Sequence, residues 1–272
     1  MTYDDFRAGE LQGWDARAEA YDTATARATA QAIPDLLAAV RLAPGMRVLD
    51  VCCGPGYAAG AAAALGAETR GIDFAPGMVR QARARFPGLA FDEGDAEHLA
   101  FQDASFDAVL CNFGLFHVTA PGRAMSEAFR VLRPGGRYAF SQWCTPEENP
   151  VHRLTLGIVR RVADMSIAPP APDAFTLSDR DTAHGMMVKA GFADIALREV
   201  PILLRAPAEG FFDFMMRFGV RIPLILDRQT EMVRAAIHEA LDHEAQAFRA
   251  GDEIRLPMPA FVVSGQKEGP LP

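Results

Sequence analysis

The stretch from Val48 to Gly56 combines an apolar run with one carboxylate, two cysteines and two glycines. Glycine lets backbone N–H groups come close to a ligand, and the N–H groups at the start of a helix can bind its polar atoms. The spacing Gly54-x-Gly56-x-x-Ala59 also satisfies the relaxed dinucleotide pattern. The loop alone therefore predicts a nucleotide-like ligand and leaves its identity open.

The carboxylate of Asp50, four residues before Gly54, separates two kinds of ligand. A carboxylate repels a pyrophosphate, whereas it attracts the ammonium of an amino-acid moiety, either directly or through water. The loop therefore favours a ligand with a zwitterionic tail over a dinucleotide.

Two further carboxylates end the next two predicted strands. Asp73 follows Asp50 by 23 residues, where an acidic side chain can accept both hydroxyls of a ribose. Phe74 and Met78 come directly after it and can pack on a purine ring, while Asp95 can accept a hydrogen bond from an adenine amino group. A helix cap or a turn explains each acid singly. Three acids at three successive strand ends, each matched to a different part of one ligand, form a much stronger signal.

Alternating β-rich runs and amphipathic segments must position these residues. The pattern predicts five strands and three helices: Arg47–Cys52, Glu68–Phe74, Leu89–Glu93, Phe106–Phe113 and Arg137–Trp143 as strands, and Tyr57–Leu65, Pro76–Phe86 and Gly122–Leu132 as helices. The Pro134-Gly135-Gly136 run predicts a stop before the fifth strand. Such alternation is typical of βαβ units, so we expect an α/β fold with a doubly wound parallel sheet.

The flanking segments predict a single domain with two helical additions. We expect an N-terminal helical cap over residues 1–43, a cofactor-binding core over 44–145 and C-terminal strands over 146–266. A helical lid over about 206–252 is inserted before the last strand, and residues 267–272 form a tail. In the cap, Trp14, Ala18 and Tyr21 share one helical stripe, so these aromatic residues either anchor the helix or reach the ligand.

The predicted C-terminal elements are two helices, at about Asn149–Met165 and from Ser178 to Gly191, two strands, at Ile195–Leu204 and Arg255–Val263, and between the strands a lid helix at about Gln229–Ala250. Pro257 and Pro259 favour an edge position for the last strand. Within the lid, the cluster Phe211–Phe218 is rich in Phe and Met. It forms either helix-packing core or the roof of an apolar substrate pocket.

Composition excludes several classes of protein. A formal net charge of -8 argues against a nucleic acid partner, since phosphate backbones demand clustered cations. The N-terminus lacks the pattern of a signal peptide and no run is apolar and long enough to cross a membrane, so we expect a cytoplasmic location. The four cysteines show no CxxC pair and no neighbouring His, so we expect no metal site. The oligomeric state cannot be read from the sequence.

Together these motifs resemble those of the class I S-adenosylmethionine-dependent methyltransferases of the small-molecule, methyltransferase type 11-like kind. The resemblance covers roughly residues 14–143 and rests on four motifs: Val48-Leu49-Asp50-x-x-x-Gly54-x-Gly56, Gly71-Ile72-Asp73, Gly94-Asp95-Ala96-Glu97-x-Leu99-x-Phe101 and Arg130–Gly136. It implies a Rossmann-like sheet of seven strands, the last antiparallel, with S-adenosylmethionine at the carboxyl edge. It also implies that Tyr21 approaches the cofactor's carboxylate, and it adds Ala96 and Asn112 to the cofactor site.

The sequence departs from the family at Cys52-Cys53, where Gly or Ala and a second Gly or Thr are frequent. Cysteine is small enough to keep the turn, so cofactor binding is still expected, with S-adenosylhomocysteine as the product.

Methyl transfer is an in-line displacement on a sulfonium, so the enzyme mainly aligns the acceptor and excludes water. His117, just beyond the fourth strand, is the best-placed general base, and His152, after the fifth strand, is the second candidate. We expect a small hydrophobic or aromatic acceptor, methylated on oxygen in preference to carbon or nitrogen. The alternatives are a non-catalytic S-adenosylmethionine-binding protein and an NAD(P)-dependent oxidoreductase. The latter is disfavoured because no Tyr has a Lys four residues on.

Overall fold

A seven-stranded sheet forms the centre of the computed structural model, which describes residues 4–269. The strand order is β3-β2-β1-β4-β5-β10-β6, and β10 runs antiparallel to both of its neighbours. The strands of this sheet are β1 (Arg47–Val51), β2 (Glu68–Asp73), β3 (Ala90–Glu93), β4 (Phe106–Asn112), β5 (Leu132–Trp143), β6 (Ala193–Val200) and β10 (Ala260–Gln266). The predicted seven-stranded sheet with an antiparallel last strand is confirmed.

Helices cover both faces of this sheet, because successive strand residues point to opposite sides. The helices from the N-terminus to β6 are α1 (Asp4–Arg17), α2 (Ala26–Thr29), α3 (Ile33–Ala39), α4 (Tyr57–Ala64), α5 (Pro76–Arg85), α6 (Pro121–Val131), α7 (Pro150–Val162) and α8 (Arg180–Lys189). Val48 and Leu110 pack in one core with α3 and α7, whereas Leu49 and Cys111 pack in a second core with α6 and α8. The sheet is therefore doubly wound, as predicted.

The cap and the lid meet above the carboxyl edge of the sheet. The lid contains α9 (Phe211–Phe218), α10 (Arg221–Leu226) and α11 (Glu231–Ala245). The strands β7 (Leu203–Pro207), β8 (Arg249–Ala250) and β9 (Glu253–Pro257) form a second sheet in the order β7-β9-β8. In the chain, β7 precedes the lid helices, and β8 and β9 follow them. The cap and lid touch directly, since a Cβ on Gly13 of α1 would lie 2.4 Å from Val220.

Four predictions about the strands were wrong. The strand predicted over 195–204 is two strands, β6 and β7, which separate at Pro201 and pair in different sheets. The strand predicted over 255–263 is likewise two, and β10 lies inside the sheet rather than at its edge. Both prolines precede β10, so all of its N–H groups remain free to pair. The Pro134-Gly135-Gly136 run lies within β5, whose pairing with β4 shifts register there.

Helix boundaries also differ from prediction. The helix predicted from Ser178 begins at Arg180, because Asp179 accepts a hydrogen bond from the Thr182 N–H at 2.8 Å and caps it. The helix predicted over 229–250 ends at Ala245, and its last predicted residues enter β8. The predicted tail, 267–272, lies partly outside the described residues.

Four free cysteines are present, of which Cys53, Cys111 and Cys144 are buried. Residues 4–269 contain no group of three or more His, Cys, Asp or Glu arranged to hold a metal ion. No helix within that range combines the length and apolar character needed to cross a membrane.

Candidate active site

A cavity of about 380 Å³ lies where the carboxyl ends of the central strands meet the cap and lid helices. This is the edge at which doubly wound sheets bind ligands. Of the residues predicted from sequence, the cavity is lined by Tyr21, Gly54, Asp73, Phe74, Met78, Asp95, Ala96, Asn112, His117 and His152. Asp50 and Gly56 do not line it.

Asp50 lies behind the loop, with 1% of its surface exposed. Its Oδ2 accepts a hydrogen bond from the Ala59 N–H at 2.9 Å, while its Oδ1 has no partner among the described residues. Burial raises the pKa of Asp50 to about 7, and the nearby Asp73 carboxylate adds to that rise. The side chain thus ties β1 to the first turn of α4, and the structure shows no direct path from it to a ligand ammonium.

The two glycines of the loop act differently. Gly54 (φ +52°) lines the cavity, and its N–H donates to Asp73 Oδ2 at 2.8 Å. Gly56 (φ +82°) faces inward, where a Cβ would lie 2.8 Å from the Phe91 ring. Glycine at 56 is therefore required by backbone conformation and core packing, whereas Gly54 leaves the backbone open to a ligand.

Asp73 is held in place at the end of β2 by backbone donors. Its oxygens accept from the N–H groups of Gly54 at 2.8 Å and Ala75 at 2.9 Å. Burial raises the pKa of Asp73 to about 6, although these hydrogen bonds oppose the rise. Each carboxylate oxygen has two lone pairs, so both can still accept a hydrogen bond from a ligand in the cavity.

Asp95 is paired with a residue of the cap that sequence reasoning did not identify. Arg7 of α1 donates to Asp95 Oδ2 at 2.8 Å, and the Glu97 N–H donates to Oδ1 at 2.9 Å. Partial burial works to raise the pKa of Asp95, but these hydrogen bonds outweigh it and lower the pKa. Asp95 is therefore an ionised carboxylate at the margin of the cavity.

The motif residues that follow Asp95 hold the loop together. Glu97 Oε1 accepts from the Thr119 N–H at 2.8 Å and the Ala120 N–H at 3.0 Å, which ties the loop to the start of α6. Arg130 donates to the carbonyl oxygens of Leu99 and Phe101, each within 2.8 Å. The conformation around Asp95 and Ala96 thus depends on α6. The motif around Asp95 and the motif that begins at Arg130 therefore contact each other directly.

Asn112 and Tyr21 join the sheet edge to the cap. The Asn112 amide donates to the Thr29 carbonyl at 3.1 Å and accepts from the Ser141 hydroxyl at 2.8 Å. The Tyr21 hydroxyl lies 3.3 Å from the Thr29 hydroxyl. Burial raises the pKa of Tyr21 to about 12, so its phenol stays neutral and able to donate. Both side chains are fixed in the cavity wall by the same short helix, α2.

His117 forms a buried pair with Glu10 of α1. Its Nδ1 lies 2.7 Å from Glu10 Oε2, and the Trp14 indole N–H donates to the same oxygen at 3.1 Å. Glu10 is 2% exposed, and the Trp14 ring meets the imidazole edge-on, with centroids 5.0 Å apart. A carboxylate on Nδ1 fixes the tautomer that leaves Nε2 able to accept a proton. Sequence reasoning missed Glu10, since nothing in the sequence links residues 107 positions apart.

Aromatic side chains form a further part of the cavity wall, which we call the aromatic wall. The Phe113 and Trp143 rings stack with centroids 3.9 Å apart, and His152 meets Trp143 and Phe175 edge-on at 6.1 and 5.1 Å. Burial lowers the pKa of His152 to about 4, so its imidazole is neutral near pH 7. Its Nδ1 is buried and has no hydrogen-bond partner among the described residues.

The Phe and Met cluster of the lid is divided between the core and the cavity wall, and its role towards a substrate stays a prediction. Phe211 and Phe214 are buried in the core, where neither lines the cavity. Met215 and Phe218 line it, together with Ile225 of α10. The amphipathic helix α9 thus packs one set of its side chains into the domain and presents two others to the cavity.

Comparison with known proteins identifies the family of the chain. A family model described as a methyltransferase domain matches residues 49–140. The chain is 31% identical over 172 residues to a demethylmenaquinone methyltransferase of Renibacterium salmoninarum, covering 60% of this chain and 73% of that protein. It is 34% identical over 183 residues to a protein of the same name from Clavibacter sepedonicus, covering 60% and 71% of the two chains.

Among solved structures, the YcgJ protein of Bacillus subtilis has the same fold, with a TM-score of 0.58 and 21% identity over 88% of this chain and 98% of that one. Fold, motif spacing and relatives thus agree on the enzyme class and its methyl donor, S-adenosylmethionine. The chain belongs to the class I S-adenosylmethionine-dependent methyltransferases.

Proposed function

We propose that this enzyme transfers the methyl group of S-adenosylmethionine to an oxygen of a small, flat, apolar or aromatic molecule. One observation carries the proposal: a single cavity is lined both by carboxylates and backbone loops that follow the strands and by aromatic and aliphatic side chains of β5, α7, α9 and α10. The donor occupies the first end and the acceptor the second. The cavity volume lies within the range of small-molecule sites.

The residues of the first end are assigned to the cofactor group by group. We assign Asp73 to the ribose hydroxyls, Phe74 and Met78 to the purine, and Asp95 with Ala96 to its amino edge, because these residues line the cavity. Tyr21, Gly54 and Asn112 are proposed to bind the amino-acid tail of the cofactor. Asp50 lies behind the wall, so it reaches the ammonium only through an intervening water. Bound there, the cofactor supplies an electrophilic methyl group on its sulfonium.

The aromatic wall indicates the class of acceptor. Trp143, Phe175 and Phe218 offer ring faces and edges that match a planar molecule. The burial of Trp143 and Phe218 excludes water from the transfer. The two relatives are named for demethylmenaquinone, a name that indicates an apolar quinone-type acceptor. A planar aromatic acceptor agrees with both.

His117 is proposed as the general base. As the acceptor oxygen forms its bond to the methyl carbon, its hydroxyl proton passes to His117 Nε2, and the carbon–sulfur bond breaks to leave S-adenosylhomocysteine. Glu10 stabilises the imidazolium that results, as a carboxylate does in other His-containing pairs. His152 has too low a pKa to take that proton, but its unpartnered Nδ1 can hydrogen-bond the acceptor.

The test is methyl transfer from isotopically labelled S-adenosylmethionine to naphthols, naphthoquinols, catechols and aromatic amines, with the product identified by mass spectrometry and NMR. We expect a methyl ether together with one equivalent of S-adenosylhomocysteine. A product methylated on a ring carbon would overturn the preference for oxygen. Transfer to the amines alone would overturn the acceptor class.

A further inference from the structure

The carboxylates that line the cavity all have partners within the chain. Glu10 binds Trp14 and His117, and Asp95 binds Arg7. Asp73, Glu97 and Asp173 accept hydrogen bonds from backbone N–H groups at 2.8 to 3.0 Å. Every acidic side chain of the cavity wall, within residues 4–269, therefore already has a hydrogen-bond partner.

Arg221 shows the opposite situation. It is the first residue of α10 and lines the cavity, yet its Nη1 is fully buried and has no hydrogen-bond partner among residues 4–269. Burial lowers the pKa of its guanidinium, and the field of Glu10 only partly offsets this. An unpaired buried N–H of a charged group is costly, so a ligand that accepts from it gains that energy back.

A second arginine faces the same cavity from another helix. Arg160 lies near the end of α7, lines the cavity and is exposed. Its side chain forms no ion pair or hydrogen bond in the described part of the chain. Both cations belong to helices that carry the apolar wall, where Leu156 and Ile225 also line the cavity. Among residues 4–269, the unpaired charge on the cavity wall is therefore positive, and both arginines lie on helices that also contribute apolar residues to that wall.

We propose that the acceptor is an aromatic molecule carrying a carboxylate, which Arg221 binds directly and Arg160 attracts. This proposal rests on the proposed function. It narrows the acceptor from an aromatic molecule to an aromatic molecule that carries a negative charge. A guanidinium binds a carboxylate with two parallel hydrogen bonds, which fixes orientation as well as affinity. Arg221 would thereby hold the ring so that its hydroxyl faces the methyl group.

The test measures binding to the protein saturated with S-adenosylhomocysteine, using a matched pair of ligands, 1-hydroxy-2-naphthoate and 1-naphthol. Calorimetry is expected to show the carboxylate binding about tenfold more tightly to the unaltered protein. In Arg221→Met the two ligands should bind within about twofold of each other, with the affinity for S-adenosylhomocysteine unchanged. Arg217→Met is the control, since Arg217 lies exposed on α9 and bonds only the Asp213 carbonyl.

Several results would overturn the proposal. These are equal binding of the pair by the unaltered protein, no measurable binding of either ligand, or a preference that survives in Arg221→Met. Loss of S-adenosylhomocysteine binding in that variant would assign Arg221 to the cofactor's own carboxylate instead. If Arg221→Met does not fold, Arg221→Lys serves, and it should retain part of the preference because it keeps the charge. The assay needs no turnover, so its outcome is separate from that of the labelling experiment.

Discussion

The two ends of the cavity are built by different physical means. At the sheet edge, the Asp73 carboxylate accepts hydrogen bonds from the nearby N–H groups of Ala75 and Gly54. Residues of the cap add long-range hydrogen bonds there, such as that from Arg7 to Asp95. At the other end, Trp143 and Phe218, which are distant in sequence, belong to one apolar core. The strand-end carboxylate and its loop are therefore specified locally, whereas the contacts of the cap and of the aromatic side chains arise only from tertiary packing.

The largest effect should come from removing the ribose-binding carboxylate. Asp73→Ala deletes an acceptor for two hydroxyls and also frees the Gly54 N–H. We expect the dissociation constant for S-adenosylhomocysteine to rise about 100-fold or more by calorimetry. Asp92→Ala, which removes a half-exposed carboxylate of β3, is the control and should bind normally. Unchanged cofactor affinity in Asp73→Ala would remove the sheet-edge site from this account.

Next in size is the loss of the proposed base. His117→Ala should lower kcat about 100-fold, a typical contribution of general base catalysis, and leave cofactor affinity within about threefold. Glu10→Gln should lower kcat by about tenfold and change the pH profile of kcat, because the imidazolium loses its carboxylate. The exposed His184 of α8, whose side chain has no hydrogen bond or ion pair among residues 4–269, offers a control as His184→Ala. Full turnover by His117→Ala would show that transfer needs no base there.

A smaller effect is expected at the helix end. Phe175→Ala removes a ring that packs edge-on against His152. The KM for the acceptor should rise about tenfold, since the ring of a half-buried aromatic side chain that packs against a ligand contributes about 1 to 2 kcal/mol, while cofactor affinity stays constant. Met232→Ala, at an exposed residue of α11, should change neither. If cofactor affinity fell instead, the two ends would not be separate sites.

The last prediction concerns pH and Asp50, and its effect is on folding stability rather than on binding or turnover. The pKa of this group in the folded protein is about 7, well above its ordinary value of 3.8. Its contribution to stability is therefore complete below about pH 4 and is lost as the pH rises through 7, where the buried carboxylate must ionise. Asp50→Asn should thus lose less stability than the unaltered protein between pH 5 and 8, by about 2 kcal/mol in urea unfolding. Asp92→Asn is the control, and parallel losses in both variants would contradict this reading.

The division between the two ends also explains what sequence could predict. Asp73 and Gly54 could be identified because their partners lie nearby and their spacing follows from strand and turn geometry. Arg221 could not, because nothing distinguishes it in sequence from the arginines of solvated helix faces. Glu10 could not be predicted either, because its contact with His117 exists only after α1 packs over the sheet. The predicted strand over 195–204 failed because pairing partners, and not propensity, decide where β6 ends and β7 begins.

Amide hydrogen exchange with and without S-adenosylhomocysteine tests the division of the cavity most directly. The account predicts slower exchange in the loops that follow β1, β2 and β3, in peptides covering residues 50–56, 73–78 and 94–97. It predicts little change in α7, α9 and α10 until an acceptor is added. Protection confined to those three helices, with the loops unaffected, would contradict the placement of the cofactor at the sheet edge.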